Sequence, residues 1–583
     1  MPQRELKVDR VNHFTSQPRC GIKHAGTAKP DHDVPFYRSE DLGNLERLER
    51  LDRRGNDALL SPADTQTQAA LPAAGAASRM LLALLVSGAL VIGSFIWQGH
   101  YGFNIGDEGF LWYGVQRVQA GELPILDFMS YDPGRYYWSA ALTGLLHDDG
   151  IMALRATLAV FQLLGLFVAL LLLSRGKSRL DATLLILAAI ALLAWMFPRH
   201  KLFDISLSII LIGILTLLVQ HPSRRRFFLA GAGVGLVAVF GRNHGVYGVA
   251  GILVVIIYLA CRQLSVAALM SGLAYCACGI AVGYLPILVP IAAVPGFAAA
   301  FWESIRALFE WGASNLPLPV PWPWLVPITQ LPLATAAADV LTGMLFIAII
   351  AFGVCSLLWI IRQALRQRPV APEFVACSVL ALPYAHFAFS RADVGHLAQA
   401  IFPLLIGVFV LLKDWPHKAR WIAASAIASV SLMIMLPLHP GWDCRMNRCA
   451  TADVSGSVLT FDLDTANSLA ILKRAVELYA PNGRSFVAAP LWPGAYALFK
   501  RKSPMWESYA LFPRGSEFER REIERIKLAK PGFVAVVDIP VDGRDALRFR
   551  NTHPLIERFI RDNFDPMTMG DWPPDVYQFY KSR

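Results

Sequence analysis

Between Met80 and Leu438 the chain is a succession of apolar runs, and nothing else in it restricts the fold as severely. The runs cover roughly 80–98, 151–173, 180–197, 203–219, 227–241, 245–261, 266–290, 334–361, 373–389, 395–412 and 420–437. Each is close to the ~20 residues that a bilayer core requires, which predicts a polytopic α-helical membrane protein of about eleven spans. Charged residues make up 17% of the chain, well under the ~25% of a soluble domain. An odd number of spans puts the two ends of the chain on opposite sides.

The loops alternate in character. One set carries Arg175, Lys177 and Arg179, then Arg224, Arg225 and Arg226, Arg262, Arg362, Arg366 and Arg368, and Lys413, Lys418 and Arg420; Arg50, Arg53, Arg54 and Arg79 precede the first span. By the positive-inside rule this set is cytoplasmic. The formal net charge of +10 therefore reads as a topology signal, and no nucleic-acid partner is expected. The other loops face out: 99–150, 198–202, 242–244, 291–333, 390–394 and everything after Leu438. Three of these short connections, "FPRHKLFD" (197–204), "FGRNHGV" (240–246) and "SRADVGH" (390–396), place Arg beside His against the orientation rule. Solvated turns are the plain reading of any one of them; three on one face point to a purpose.

Residues 1–78 are polar and without sustained periodicity, and are expected to be a disordered cytoplasmic tail with one short helix near "DLGNLERLERLDRR". Residues 79–438 form the expected membrane domain. From 439 to 583 the composition turns soluble: "SLAILKRAVELYA" and "EFERREIERIKLA" read as amphipathic helices, "SFVAA" and "FVAVVD" as buried strands. This predicts a C-terminal extracytoplasmic α/β domain. Of eight cysteines, Cys444 and Cys449 are close together among polar residues, and outside the cytoplasm they would form a small disulfide loop.

The first outer loop is the most informative segment. Asp107 is placed to cap a helix from about Glu108 to Ala120, with Gly121 as its stop and Pro124 beyond. Trp112 and Tyr113 suit a membrane–water boundary, so the helix is expected to lie along the surface. A capped carboxylate stays ionised and can take a proton from an acceptor hydroxyl; Glu108 would orient it or the acceptor. The turn Asp132-Pro133-Gly134 then presents Arg135 beside Tyr131, Tyr136, Tyr137 and Trp138, aromatic faces of the kind that pack on sugar rings or anchor an interface.

The runs "GDEGFLWYGVQRVQAGELPILDF" and "YDPGRYYW", directly after the first span, resemble the GT-C integral-membrane glycosyltransferases, in particular the bacterial branch similar to protein O-mannosyltransferases and lipid A aminoarabinose transferases. The likeness covers the architecture of residues 80–440, with its specific motif in one loop. It implies that Asp107 is the catalytic or acceptor-orienting acid, that the donor is a sugar on a polyprenyl phosphate, and that transfer inverts the anomeric centre. A departing lipid phosphate calls for cations. The outer loops offer Arg199, His200 and Lys201, Arg242 and His244, Arg391 and His396, with Arg242 and Arg391 favoured for their place at span ends and Lys201 next. The acceptor is expected to be an envelope glycan, lipid or protein hydroxyl, and the location the bacterial inner membrane. No cofactor is expected; Asp107, Glu108 and Asp204 or Asp393 could in principle supply oxygen ligands to a divalent metal, but metal-independent transfer is the default.

Two other classes compete. A polar-lipid transporter or flippase would show ionisable residues within spans, and Arg155 and Asp204 are the candidates for it. No internal repeat is visible, which disfavours inverted halves. A noncatalytic relative that only binds glycan is the third.

Overall fold

The computed structural model describes residues 73–583 apart from 177–180, 263, 312–314, 571–572 and 574. The expected tail over 1–78 lies outside the described residues except for 73–78, which open the first helix, Ala73–Gln98; Lys177 and Arg179 lie outside them too. Among the described residues each apolar run expected to span is largely helical, and the run 266–290 divides at Tyr284 into two helices, Val266–Gly283 and Leu285–Ala293. Among the described residues, eight helices are long and apolar enough to cross a bilayer, or nine if Val394–Ala400 and Phe402–Leu412 form one span bent by 52°. Pro403 sits in the first turn after that bend, where the missing N–H costs no helical bond. Two further runs form shorter helices, Ala182–Trp195 of 14 residues and Arg224–Phe240 of 17, so helix length alone does not fix the number of spans at eleven.

Local chemistry starts these helices. Asp181 Oδ1 accepts the Leu184 N–H at 3.0 Å and Ser223 Oγ the Arg226 N–H at 3.3 Å, each satisfying an amide the helix cannot. Small residues decide the closest packing. A Cβ at Gly279 would come within 2.1 Å of the Phe228 carbonyl oxygen, so the Arg224–Phe240 and Val266–Gly283 helices meet backbone to backbone.

The two sets of loops gather at opposite ends of the bundle. At one end Arg175 pairs with Glu373 at 2.9 Å, Arg420 with Asp181 at 3.0 Å, and the Lys413 ammonium bonds the Arg175 carbonyl at 3.1 Å. At the other, Arg135 meets Asp204 at 3.0 Å and Arg242 meets Asp132 at 2.6 Å. The first loop and the C-terminal region join this second end.

The C-terminal region begins with a disulfide between Cys444 and Cys449 at the root of a hairpin, β1 (Cys449–Val454) with β2 (Ser457–Asp462). The hairpin was not foreseen. The Gly102 N–H donates to the Thr460 carbonyl and the Thr460 N–H to the His100 carbonyl, both at 2.8 Å, so β2 is fastened to the start of the first loop. Beyond it lie β3 (Val487–Ala489), β4 (Phe533–Val537), β5 (Phe564–Met567) and β6 (Tyr577–Ser582), in the order β3-β4-β6-β5. β3 and β4 are parallel, the other pairs antiparallel. Alternate strand residues face opposite sides. Val534 and Val536 pack with Ile526, Ile556 and Ile560, while Ala535 and Val537 share the core of Leu469 and Leu472. Helices thus cover both faces of the sheet.

Candidate active site

The helix after the first span runs over Asp107–Gln119 and stops at Gly121, whose φ of +87° suits glycine. Asp107 is its first helical residue and not its cap. The Asn104 side chain does that work, its Oδ1 accepting the Asp107 N–H at 2.8 Å, which leaves the Asp107 carboxylate free for other partners. The helix does not expose a face along its length either: Glu108 to Val115 are buried without a break. The short helix Gly494–Leu498 lies on it where Gly109 and Gly494 touch. A Cβ on Gly109 would fall 2.4 Å from the Gly494 Cα. Trp112 donates to the Asp149 carbonyl at 2.7 Å and the Tyr113 hydroxyl accepts the Ser503 N–H at 3.0 Å. Their polar ends find protein, not headgroups, because residues 492–509 cover this face.

Glu108 is 2% exposed and forms a two-pronged pair with Arg155, at 2.8 Å on both oxygens. Arg199 stands 3.6 Å away and donates to the carbonyls of Gln98 and Tyr101. Burial opposes charge on Glu108, but Arg155 and Arg199 outweigh it and hold the carboxyl down to about 2. Glu108 therefore does not turn toward Asp107. Arg155, the first of the two candidate transport charges, is the partner of a helix start.

A second closed group surrounds Asp204. Arg135 grips it with two bonds of 3.0 and 3.2 Å and also donates to the Phe240 carbonyl. His244 Nε2 lies 3.1 Å from Asp204 Oδ1, and its Nδ1 2.7 Å from the Tyr384 hydroxyl. Tyr136, with no exposed surface, accepts the Tyr131 N–H at 3.0 Å. Arg135, Tyr136 and His244 are thus sealed inside, and the expectation that they meet a substrate gives way to a bracing role. Arg242 bonds Asp132 and, at 2.9 Å, Ser304. Arg391 grips Asp542 at 2.6 and 2.7 Å and Asp393 at 2.8 Å, and His396 rests on Asp393 at 2.9 Å. The two arginines favoured for a lipid headgroup already hold carboxylates.

What stays open is a small cluster around Asp107, whose side chain is one-third exposed, at 33%. Its Oδ2 faces His200 Nε2 at 3.5 Å and its Oδ1 accepts the Tyr509 hydroxyl at 3.3 Å. Burial raises the Asp107 pKa, but the charges of His200, Lys201 and Arg391 and the Tyr509 bond prevail, leaving it below the ordinary value. The Tyr131 and Tyr509 phenols are pushed well up, by burial first and then by the Asp107 charge. The Lys201 ammonium, 5.7 Å over the Tyr131 ring, has neither hydrogen bond nor ion pair among the described residues. A cavity of about 590 Å³ is bordered by His200 and walled by Asn104, Phe197, the last-span end at Leu438 and the hairpin end at Asp462. Tyr509 belongs to an aromatic, basic stretch (488–513) that the sequence offers either for acceptor recognition or as ordinary packing; that it would stand beside Asp107, 402 residues away, carried no signal.

No family model and no curated protein match the sequence. The fold does have solved counterparts. ArnT from Cupriavidus metallidurans in the apo state superposes over 87% of this chain and 98% of its own, at 13% identity and a TM-score of 0.53. The same protein bound to undecaprenyl phosphate does so over 88% and 98%, at 14% and 0.50. The chain shares its fold with ArnT. An oligosaccharyltransferase of Archaeoglobus fulgidus, in the apo form, aligns more remotely, at 14% identity over 87% of this chain and 74% of its own, TM-score 0.43.

Within this fold the oxygen ligands weighed for a metal are dispersed. Glu108 faces Arg155, Asp204 faces Arg135, and Asp393 faces Arg391 and His396. Among the described residues no group of three or more His, Cys, Asp or Glu is placed to hold a metal.

Proposed function

We propose that this protein is a membrane glycosyltransferase that moves a sugar from a polyprenyl-phosphate donor to an acceptor hydroxyl, with inversion, on the extracytoplasmic face. One observation carries the reading: an ionised, accessible carboxylate, Asp107, stands beside a cation with unspent charge, Lys201, at the ends of spans in a fold whose ArnT counterpart binds undecaprenyl phosphate. The acceptor oxygen attacks the anomeric carbon as the bond from that carbon to the phosphate oxygen breaks. The electron pair leaves with the lipid phosphate, where Lys201 offsets the growing charge. The acceptor proton is drawn off at the Asp107 side of the site.

The same reading makes residues 79–438 the membrane domain of a bacterial inner-membrane protein, with its N-terminus in the cytoplasm and residues 439–583 outside. The basic loops and the Cys444–Cys449 disulfide support that orientation. The acceptor is then an envelope glycan, lipid or protein. Against transport, the two candidate charges just inside span ends, Arg155 and Asp204, are both committed to ion pairs.

The test compares wild type with Asp107→Asn in matched lipid, against polyprenyl-phosphate sugars and a crude envelope acceptor, with free polyprenyl phosphate measured by mass spectrometry. Release by wild type alone is the expected result. No release from any donor by folded wild type would refute the transferase.

A further inference from the structure

The cavity beside the cluster says how the acceptor's proton leaves. Asn104, Glu108 and His200 line it; Asp107, among the described residues, does not. Glu108 is committed to Arg155 and Arg199. Of the two wall residues that also touch Asp107, Asn104 has no basic atom and His200 does. The imidazole has its Nε2 turned to Asp107 and makes no hydrogen bond among the described residues, although only 10% of the side chain is exposed. A neutral ring that keeps its proton on Nε2, toward the carboxylate, offers Nδ1 as an acceptor.

We propose that His200 is the general base of the reaction, that the acceptor hydroxyl meets it from this cavity, and that Asp107 orients the imidazole. This rests on the transferase reading above. The proton of the acceptor hydroxyl passes to His200 Nδ1 and the acceptor oxygen bonds the anomeric carbon. The sugar–phosphate bond breaks with its electrons going to the phosphate, and the imidazolium, beside the Asp107 carboxylate, later returns its proton to solvent. The turn Arg199–Lys201 suits this division. Lys201 reaches the Tyr131 ring, which is not part of the cavity wall, while the neighbouring His200 borders the cavity. Leaving group and nucleophile then approach from different sides, as an inverting displacement requires.

The walls also select an acceptor class. Phe197 and Leu438 offer apolar surface, and Asp443 and Asp462 have no cationic partner among the described residues. A neutral or amine-bearing sugar headgroup fits; an anionic one is repelled. The charged groups that face His200 are Asp107 and Glu108 from the first-loop helix, Arg199 and Lys201 on its own turn, Asp204 beyond it, and Asp443 and Asp462 across the cavity.

The test uses the full chain in lipid nanodiscs with the donor found above and three acceptor probes: an alkyl glucoside, an alkyl glucosaminide and an alkyl glucuronide. His200→Gln is expected to slow transfer by about 10²–10⁴-fold, with the donor KM unchanged and the acid limb of the pH profile gone. In His200→Ala, added imidazole restores transfer through the cavity; in Asp107→Ala it does not. Asp443→Asn raises the KM for the glucosaminide and leaves that for the donor alone, and the glucuronide is the poorest probe. Wild-type rate and an intact acid limb in His200→Gln, or equal use of all three probes, overturns the proposal while leaving the transferase standing. No polyprenyl phosphate from wild type refutes both.

Discussion

Asp107 and Glu108 are neighbours on one helical turn, and the molecule treats them in opposite ways. Glu108 is buried with both oxygens on Arg155 and a second arginine at hand. Asp107 keeps a third of its side chain exposed and its carboxylate has long contacts, 3.3 Å to Tyr509 and 3.5 Å to His200 and to the Asn104 amide. The same contrast separates the basic residues. Arg135, Arg155, Arg242 and Arg391 each hold a carboxylate, while Lys201 holds none among the described residues. A charge that is fully paired in a dry interior braces the fold, and its electrostatic capacity is spent. A charge with poor partners beside a cavity retains that capacity for a substrate.

The sharpest way to break this comparison is to neutralise each carboxylate in turn. Asp107→Asn is expected to lower turnover by about 10²–10⁴-fold with thermal stability in detergent unchanged. Glu108→Gln is expected to do the reverse in kind, costing about 3–5 kcal/mol because Arg155 is left buried and uncompensated. Thermal and denaturant unfolding of the two variants read the second effect, and single-turnover rates on the folded fraction the first. If Glu108→Gln folds as well as wild type and is inactive, the assignment of the two roles is wrong.

Acid should divide the pair in the same way. The Glu108 pKa is lowered on folding, to about 2, so its contribution is complete above the unfolded carboxylate value and lost as pH falls toward about 2. Wild type is expected to hold its fold through mildly acidic pH while Glu108→Gln has already lost this pH-dependent part. Unfolding curves of both proteins between neutral and strongly acidic pH check it. A stability difference that does not shrink with acid would place the effect elsewhere.

How much of this was legible beforehand follows from the reach of each interaction. The spans, the Gly121 stop and the position of Asp107 beyond the first span are local patterns, and the sequence carries them. So is the nearness of Cys444 to Cys449. The burial of Trp112 and Tyr113 is not local: it depends on Gly109 meeting Gly494 and on Ser503 reaching Tyr113, 390 residues apart. Nor could the sequence tell that Arg391 would find Asp542 in the C-terminal region, 151 residues on. An arginine at a span end reads as free until its carboxylate is placed, which is why Arg242 and Arg391 ranked above Lys201, although the structure pairs both with carboxylates. The β1–β2 hairpin was missed because what fastens it, the start of the first loop, lies 358 residues away in sequence, where the His100 ring meets the Val458 carbonyl.

Lys201 sharpens the contrast on the cationic side. Lys201→Met keeps the aliphatic stem over Tyr131 and removes the charge. A charge-assisted bond to phosphate is worth about 1.5–3 kcal/mol, so kcat/KM for the donor is expected to fall by roughly 10–100-fold. Arg242→Met, which leaves Asp132 unpaired instead, should act mainly on stability. Equal kinetic losses in the two variants, with stability untouched, would mean that the ion pair of Arg242 opens for the lipid phosphate and that its charge is not spent.

The smallest expected effect is at Tyr509. Its hydroxyl donates to Asp107 Oδ1 at 3.3 Å, a long bond from a phenol that burial and the Asp107 charge keep protonated. Tyr509→Phe removes that donor and leaves the ring on Phe110, 5.5 Å between centroids. A neutral donor of this kind is worth about 0.5–1.5 kcal/mol, which predicts a rate loss of roughly 2–12-fold. The Asp107 pKa should rise, since one of the groups holding it down is gone, so the loss should grow as pH falls and shrink at alkaline pH. A loss independent of pH would make Tyr509 a contact for substrate; a loss as large as that of Asp107→Asn would make it an equal member of the site, and the boundary between braced and open charges would have to be moved into the C-terminal region.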